Sequence, residues 1–228
     1  MNTKRLKIGL TAVLVFLFTA SSNAQKIDIS NVTAINVNIA CQLILVQGNS
    51  PNIEILGNDK AVDNVKTQIR NGKLTLTHQR EARRVRKDDI VVKIEVSDLK
   101  RLDIGGAVDM KTVRELVFDD FTLNVSGVGN VEMQLIANSF RLNCSGVGRV
   151  DIAGEANDVR MVVSGVGNVR ATNFKAKNAR VIHSGVGSVL LHAEENLNAS
   201  VSGIGSISYA GSPSVSTNVS GMGRIRRL

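Results

Sequence analysis

Tryptophan is absent from this sequence and tyrosine occurs once. Outside the first 24 residues the aromatic set is Phe118, Phe121, Phe140, Phe174 and Tyr209. Base-stacking platforms and sugar-binding aromatic shelves have little to be built from. Two cysteines, Cys41 and Cys144, are too few for a disulfide scaffold. Three histidines, His78, His183 and His192, are the whole imidazole supply, and no further ligand or base is evident for a zinc or Cys/His catalytic site. Beyond the N-terminus no apolar run is long enough to span a bilayer, which takes about 20 residues.

The N-terminus itself reads as an export signal. Lys4, Arg5 and Lys7 precede the apolar run Ile8 to Ala20, and Ser22-Asn23-Ala24 supplies small residues where signal peptidase cleaves. Residues 1–24 are therefore expected to be a signal peptide, with the mature chain starting at Gln25. No cysteine follows the run, which excludes a lipoprotein anchor at that point. Removing three basic residues and no acids lowers the net charge from +8 to +5, with 25 basic against 20 acidic side chains. An excess of that size is not a nucleic-acid footprint.

What the chain has in quantity is one phrase. It reads SGVGNV at 126–131, SGVGRV at 145–150, SGVGNV at 164–169, SGVGSV at 184–189, SGIGSI at 202–207 and SGMGRI at 220–225. The serines lie 19, 19, 20, 18 and 18 residues apart. A period near 20 marks a coil-stacked architecture, in which each repeat packs against its neighbours. Aligned on the serine, four columns are apolar, at three and one residues before it and two and five after it. They are rich in β-branched residues, which favours strand. Glycine at fixed offsets points to a corner turned alike on every coil, and the serines to a ladder of hydroxyls. A degenerate copy, Leu102 to Ala107, precedes the first full repeat by 21 residues.

These features predict a right-handed parallel β-helix of about six to seven coils over 102–228. An antiparallel sandwich with hairpin turns is weaker, because each repeat keeps the same columns in the same order. Residues 25–101 lack the phrase but alternate as strands, and are expected to pack on the first coil as a β-rich region continuous with the stack. One short helix is expected there, from Val62, Val65 and Ile69, preceded by Asn58-Asp59 and ended by Asn71-Gly72.

The repeated Ser-Gly-hydrophobic-Gly-x-hydrophobic phrase in a signal-bearing chain resembles the bacterial family described as "putative auto-transporter adhesin, head GIN domain". Gly203 to Ile207, Tyr209 to Pro213 and Asn71 to Leu76 carry the same likeness. The resemblance spans essentially the whole mature chain and implies an exported β-helical envelope protein. It transfers no catalytic residues.

Other motifs weigh less. Gly127-Val128-Gly129 lacks the third glycine and the following helix of a dinucleotide fingerprint. The position six after the serine is Glu132, Asp151, Arg170, Leu190, Ser208 and Arg226, so there is no acidic column for repeated calcium sites. Glu132 and Asp151 would stack on adjacent coils, the one arrangement that suits carboxylate catalysis on a carbohydrate; a solvated charge ladder on an outer face is much the stronger account of them. Arg80, Arg83, Arg84, Arg86 and Lys87 form the densest charge run, interleaved with Glu81, Asp88 and Asp89. Arg83, Arg84, Arg86 and Lys87 are the candidates for contact with an anionic glycan, against the plainer reading of a solvated run. Cys144 and His183 share an otherwise valine column, so a small apolar thiol and a partly buried structural histidine are expected, with both cysteines free.

The expectation is a non-enzymatic exported scaffold of the periplasm, outer surface or extracellular space, without metal or cofactor. Its partner would be a surface glycan or envelope protein, not nucleic acid, and its mature chain has no transmembrane segment. A carbohydrate-active enzyme on the same fold is the alternative, and an envelope sensor or accessory protein a third reading.

Overall fold

A computed structural model of the protein describes residues 26–79 and 86–228. Residues 1–24, expected to be a signal peptide, and Arg80, Arg83 and Arg84 lie outside the described residues. The described chain is a parallel β-solenoid of about seven turns. Long strands run through several bends of each coil, as in Val128–Cys144, Val147–Val163, Val166–His183 and Val186–Val201. Each pairs in parallel with the next, so the repeat columns become ladders: Gly129 on Gly148, Val131 on Val150, Leu142 on Met161. The degenerate copy is a true rung, with Leu102 under Leu123, Ile104 under Val125 and Ala107 under Val128. Parallel pairing throughout the repeats rules out the sandwich.

Repeat length varies between 18 and 20 residues, and bulges absorb the difference. The register slips between Asp151 and Ala153 against the longer following coil, then again near Lys175 and Asn178. A bulge takes up an odd residue without reversing the faces of the rest of the strand.

Three of the four apolar columns point inward. Leu123, Leu142 and Val181 are fully buried, as are Val131, Val169 and Val189 to within 1%. The scarce aromatics are spent here too. Phe121 stacks on Phe140 at 6.1 Å between centroids, and Phe140 meets Phe174 edge-on at 5.5 Å. The fourth column, two residues after the serine, does the opposite: Val128, Val147, Val166, Val186, Ile204 and Met222 are all exposed, Val166 by 53%. Each stands between two glycines at the corner, where the close-stacked backbones occupy the inside and leave the side chain only the solvent side.

The serines also sit outward, and Ser126 Oγ reaches a backbone carbonyl, that of Ile104, at 3.4 Å. The side-chain ladder is made by amides instead. Asn143 donates to Asn124 at 2.7 Å and Asn124 to Asp103 at 2.6 Å, and a parallel line runs Asn196 to Asn178 to Asp158.

The N-terminal region is threaded out of order. Ala34–Val37 lies between Lys73–His78 and Arg101–Ile104, parallel to both, and Cys41–Gln47 lies between Ile90–Val96 and Ala107–Thr112. Strands Lys73–His78 and Ile90–Val96 thus form a rung outside the one laid down earlier in the chain. Antiparallel strands then close that end: Val65–Arg70 on Lys73–His78, Asn52–Gly57 on Ile90–Val96, and Ile27–Asp28 on Asn52–Gly57. Terminal coils need such covering, because an open parallel edge invites further pairing.

The short helix is only Asp59–Val62, capped by Asn58, whose side chain accepts from the Lys60 amide at 3.1 Å. Val65 and Ile69 belong to a strand, which corrects the longer helix expected from their spacing. Asn71 and Gly72 both hold positive φ, at 49° and 71°. That is the two-residue hairpin turn which Asn-Gly favours. The same dipeptide that resembles a helix stop therefore reverses a strand.

Candidate functional surface

The histidines and cysteines among the described residues do not converge on one site. Among the described residues, no group of three or more His, Cys, Asp or Glu side chains stands close enough to hold a metal ion. His183 is fully buried, not partly so. Its ring nitrogens lie 3.3 Å from the Val163 carbonyl and 3.2 Å from that of Gly187, which ties the coil to itself and to its neighbour. Cys41 and Cys144 are free thiols. Burial pushes the Cys41 thiol up to about 12 and raises that of Cys144 as well.

Of the basic candidates, Arg86 and Lys87 are within the described structure. The Arg86 backbone amide donates to Asp89 at 2.9 Å, at the start of the single 3-10 turn Lys87–Asp89. Lys87 Nζ reaches past Cys41–Gln47 to form an ion pair with Asp109 on the strand beyond it. That hydrogen bond and the charge of Asp109 raise the Lys87 pKa, and the same contact holds the Asp109 carboxyl below its ordinary value.

Glu132, Asp151 and Arg170 do stack on successive rungs. They border a groove of about 370 Å³ with Thr112, Gln134 and Asn173. Oδ1 of Asp151 is buried there without a hydrogen-bond partner.

Two features repeat along the axis. One is the exposed valine corner. The other, on a different face, is a groove of about 460 Å³ along five rungs, between the column Ser139, Asp158, Asn178, Asn196, Ser214 and the column Arg141, Arg160, Arg180, Asn198, Ser216. The arginine row was not singled out by sequence reasoning, although arginine at 141, 160 and 180 follows the repeat period. The signal lies four residues before Ser145, Ser164 and Ser184, in a column that carries no glycine or apolar residue to mark it on those coils.

The far end of the stack is built differently from the capped one. Ser214–Val219 is exposed along its length, and Met222–Arg227 is exposed or half-exposed. No helix among the described residues is long and apolar enough to cross a membrane.

Solved structures share this architecture. An adhesin described as putative from Bacteroides fragilis NCTC 9343 is 25% identical, with a TM-score of 0.85 over 90% of this chain and 96% of that one. A second such adhesin, from Parabacteroides merdae ATCC 43184, is 23% identical with a TM-score of 0.61 over 90% and 95%. A protein from Parabacteroides distasonis ATCC 8503, described as "putative lipid binding protein", is 21% identical with a TM-score of 0.66 over 90% and 96%. No curated protein matches the chain. The family profile "Putative auto-transporter adhesin, head GIN domain" matches residues 31–213, and the chain belongs to that family.

Proposed function

We propose that this protein is a non-enzymatic, adhesin-like scaffold of the bacterial envelope, which binds a surface polymer or envelope protein along the length of its solenoid. The observation that carries this reading is the repetition of outward side chains at one rung spacing, about 4.8 Å, over most of the stack. An array of that kind suits an extended partner touched at many equivalent points. Catalysis needs one concave cluster instead. The adhesin description of the family and of its solved relatives supports the same direction. In this reading residues 1–24 direct export and are removed, leaving Gln25 as the first residue. Arg86 adds cationic surface near the capped end, Lys87 being engaged by Asp109; Arg83 and Arg84 are candidates for the same partner by sequence alone.

The test is binding of the exported protein to isolated envelope fragments and to an array of bacterial glycans, with soluble products followed over time. Retention without product release is expected. Accumulation of cleaved sugar would overturn the reading in favour of an enzyme.

That second reading has one observation behind it, the unpartnered Asp151 oxygen beside Glu132 in the neighbouring groove. A glycan-cleaving activity abolished by Asp151→Asn would establish it.

A further inference from the structure

The parallel register sets Arg141 on Arg160 and Arg160 on Arg180, on three consecutive rungs. All three are exposed. Among the described residues none has an ion pair or side-chain hydrogen bond. Like charges on facing positions of neighbouring strands cost stability. The column of Glu132 and Asp151 changes sign at its third rung, with Arg170; the arginine column does not. The one carboxylate lining the groove beside the row, Asp158, already accepts from Asn178 Nδ2 at 3.1 Å. The three arginines outnumber the one carboxylate of the groove, which leaves a net positive line with a polar groove alongside.

We propose that this groove binds a linear acidic polysaccharide carrying one carboxylate per sugar, laid parallel to the solenoid axis. The inference rests on the surface-binding reading above and names its ligand class. Guanidinium groups suit carboxylates because each presents a planar fork of donors. Their spacing is that of neighbouring strands, about 4.8 Å, close to the advance of an extended hexuronate chain per sugar. Such a chain turns alternate carboxylates to one side, so those facing the row recur once per two rungs, and Arg160, between Arg141 and Arg180, forks to the nearest of them. Asn178, Asn196 and Asn198 supply amides for the sugar hydroxyls along the same groove. Single-stranded nucleic acid fits less well. Its binding relies on aromatic platforms, and the phenylalanine of this groove, Phe140, is fully buried.

The experiment is titration calorimetry of the exported protein with polygalacturonate fragments of graded length, at two salt concentrations. Affinity should rise with length and level off near about five sugars, the number of rungs in the groove. It should fall with salt as counterions are released. Fully methyl-esterified fragments should not bind. Arg160→Gln should weaken binding about tenfold, one charge-assisted contact's worth, and flatten the salt dependence; Arg160→Lys should keep more of the affinity. Arg224→Gln, on another face, should change nothing. Wild-type affinity in Arg160→Gln would overturn the proposal, as would equal affinity for single-stranded DNA of matched charge. Envelope fragments tested in parallel separate the two readings. If they bind wild type and Arg160→Gln alike, surface binding stands and the arginine row is not its site. If they bind neither, both readings fall.

Discussion

Gly167 lies directly over Gly148, in parallel register, with no room for a side chain between them. A Cβ on Gly167 would stand 3.0 Å from the Gly148 carbonyl carbon and well inside the radius of its oxygen, at a φ of +155°. The corner is turned alike on successive coils, and a substituent here strains two of them. Gly167→Val should cost about 1–3 kcal/mol or more. Asn168→Ser, next along, loses only an exposed contact, the hydrogen bond from Ser188 Oγ at 2.6 Å. It should stay within about 0.5 kcal/mol of wild type. Denaturant melts decide it: equal midpoints for the two variants would show that the stacked glycines carry no structural load.

The outward valine column makes a contrast three residues apart. Val166 is 53% exposed and Val169 1% exposed. Val169→Ala should destabilise by about 1–3 kcal/mol, through lost burial and the cavity left behind. Val166→Thr should be nearly neutral to folding. Urea midpoints of the two variants, compared with wild type, check the assignment of the column to the outside. A large loss in Val166→Thr would contradict it.

Cys41 and Cys144 belong to rungs that are three apart. Val37 of the first lies beside Ile104, which continues through Val125 to Cys144. Three strand spacings come to about 14 Å, beyond the 7 Å or so that a disulfide tolerates between Cα atoms. In native protein at pH 8, iodoacetamide should label Cys144 slowly and Cys41 only after unfolding, as burial raises both thiols. Peptide mapping would reveal the order. A linked 41–144 peptide in the non-reducing map would refute it.

Asp103 makes acid stability a test of the first repeat coil. Burial pushes its carboxyl up, but the hydrogen bonds from Asn124 and Arg101 and the charges of Arg101 and Lys73 together outweigh it and leave the pKa lowered. A depressed carboxylate adds stability above its unfolded pKa, about 3.9, and that increment disappears as pH falls through the folded value. Asp103→Asn should therefore be less stable than wild type at pH 7, and the gap should narrow below about pH 4. Urea midpoints at pH 7, 4 and 2.5 measure this. A gap that widens on acidification would show the sign to be wrong.

The uncapped end predicts a gradient of protection. Ser214–Val219 and Met222–Arg227 pair on one side only and bury little, whereas Val147–Val163 and Val166–His183 are covered on both sides. Amides of the last coil should exchange fastest among the repeat strands, since a solenoid frays from its ends. Uniform exchange across the coils would indicate that something covers this end in solution.

The repeat could be read in one dimension because its determinants are local. A serine, two glycines and a β-branched residue at a fixed period specify the corner, and the period specifies the stacking. Even the degenerate rung at Leu102 and Ile104 follows from pattern alone. The helical spacing of Val62, Val65 and Ile69 misleads because Asn-Gly closes both helices and hairpins, and only the partner strand Lys73–His78 decides between them.

Strand formation, the stacked coils and their number were thus determined by the sequence itself, since each depends on residues one repeat apart. Tertiary structure alone decided three other matters. The rung of Lys73–His78 and Ile90–Val96 was placed outside that of Ala34–Val37 and Cys41–Gln47, because a strand edge accepts any chain that reaches it in register. The valine column was turned to solvent, because close-packed backbones at the corner leave no inner space. Arg141, Arg160 and Arg180 were aligned into one row, because parallel register, with its bulges, converts a spacing of 19 or 20 residues into a single rung.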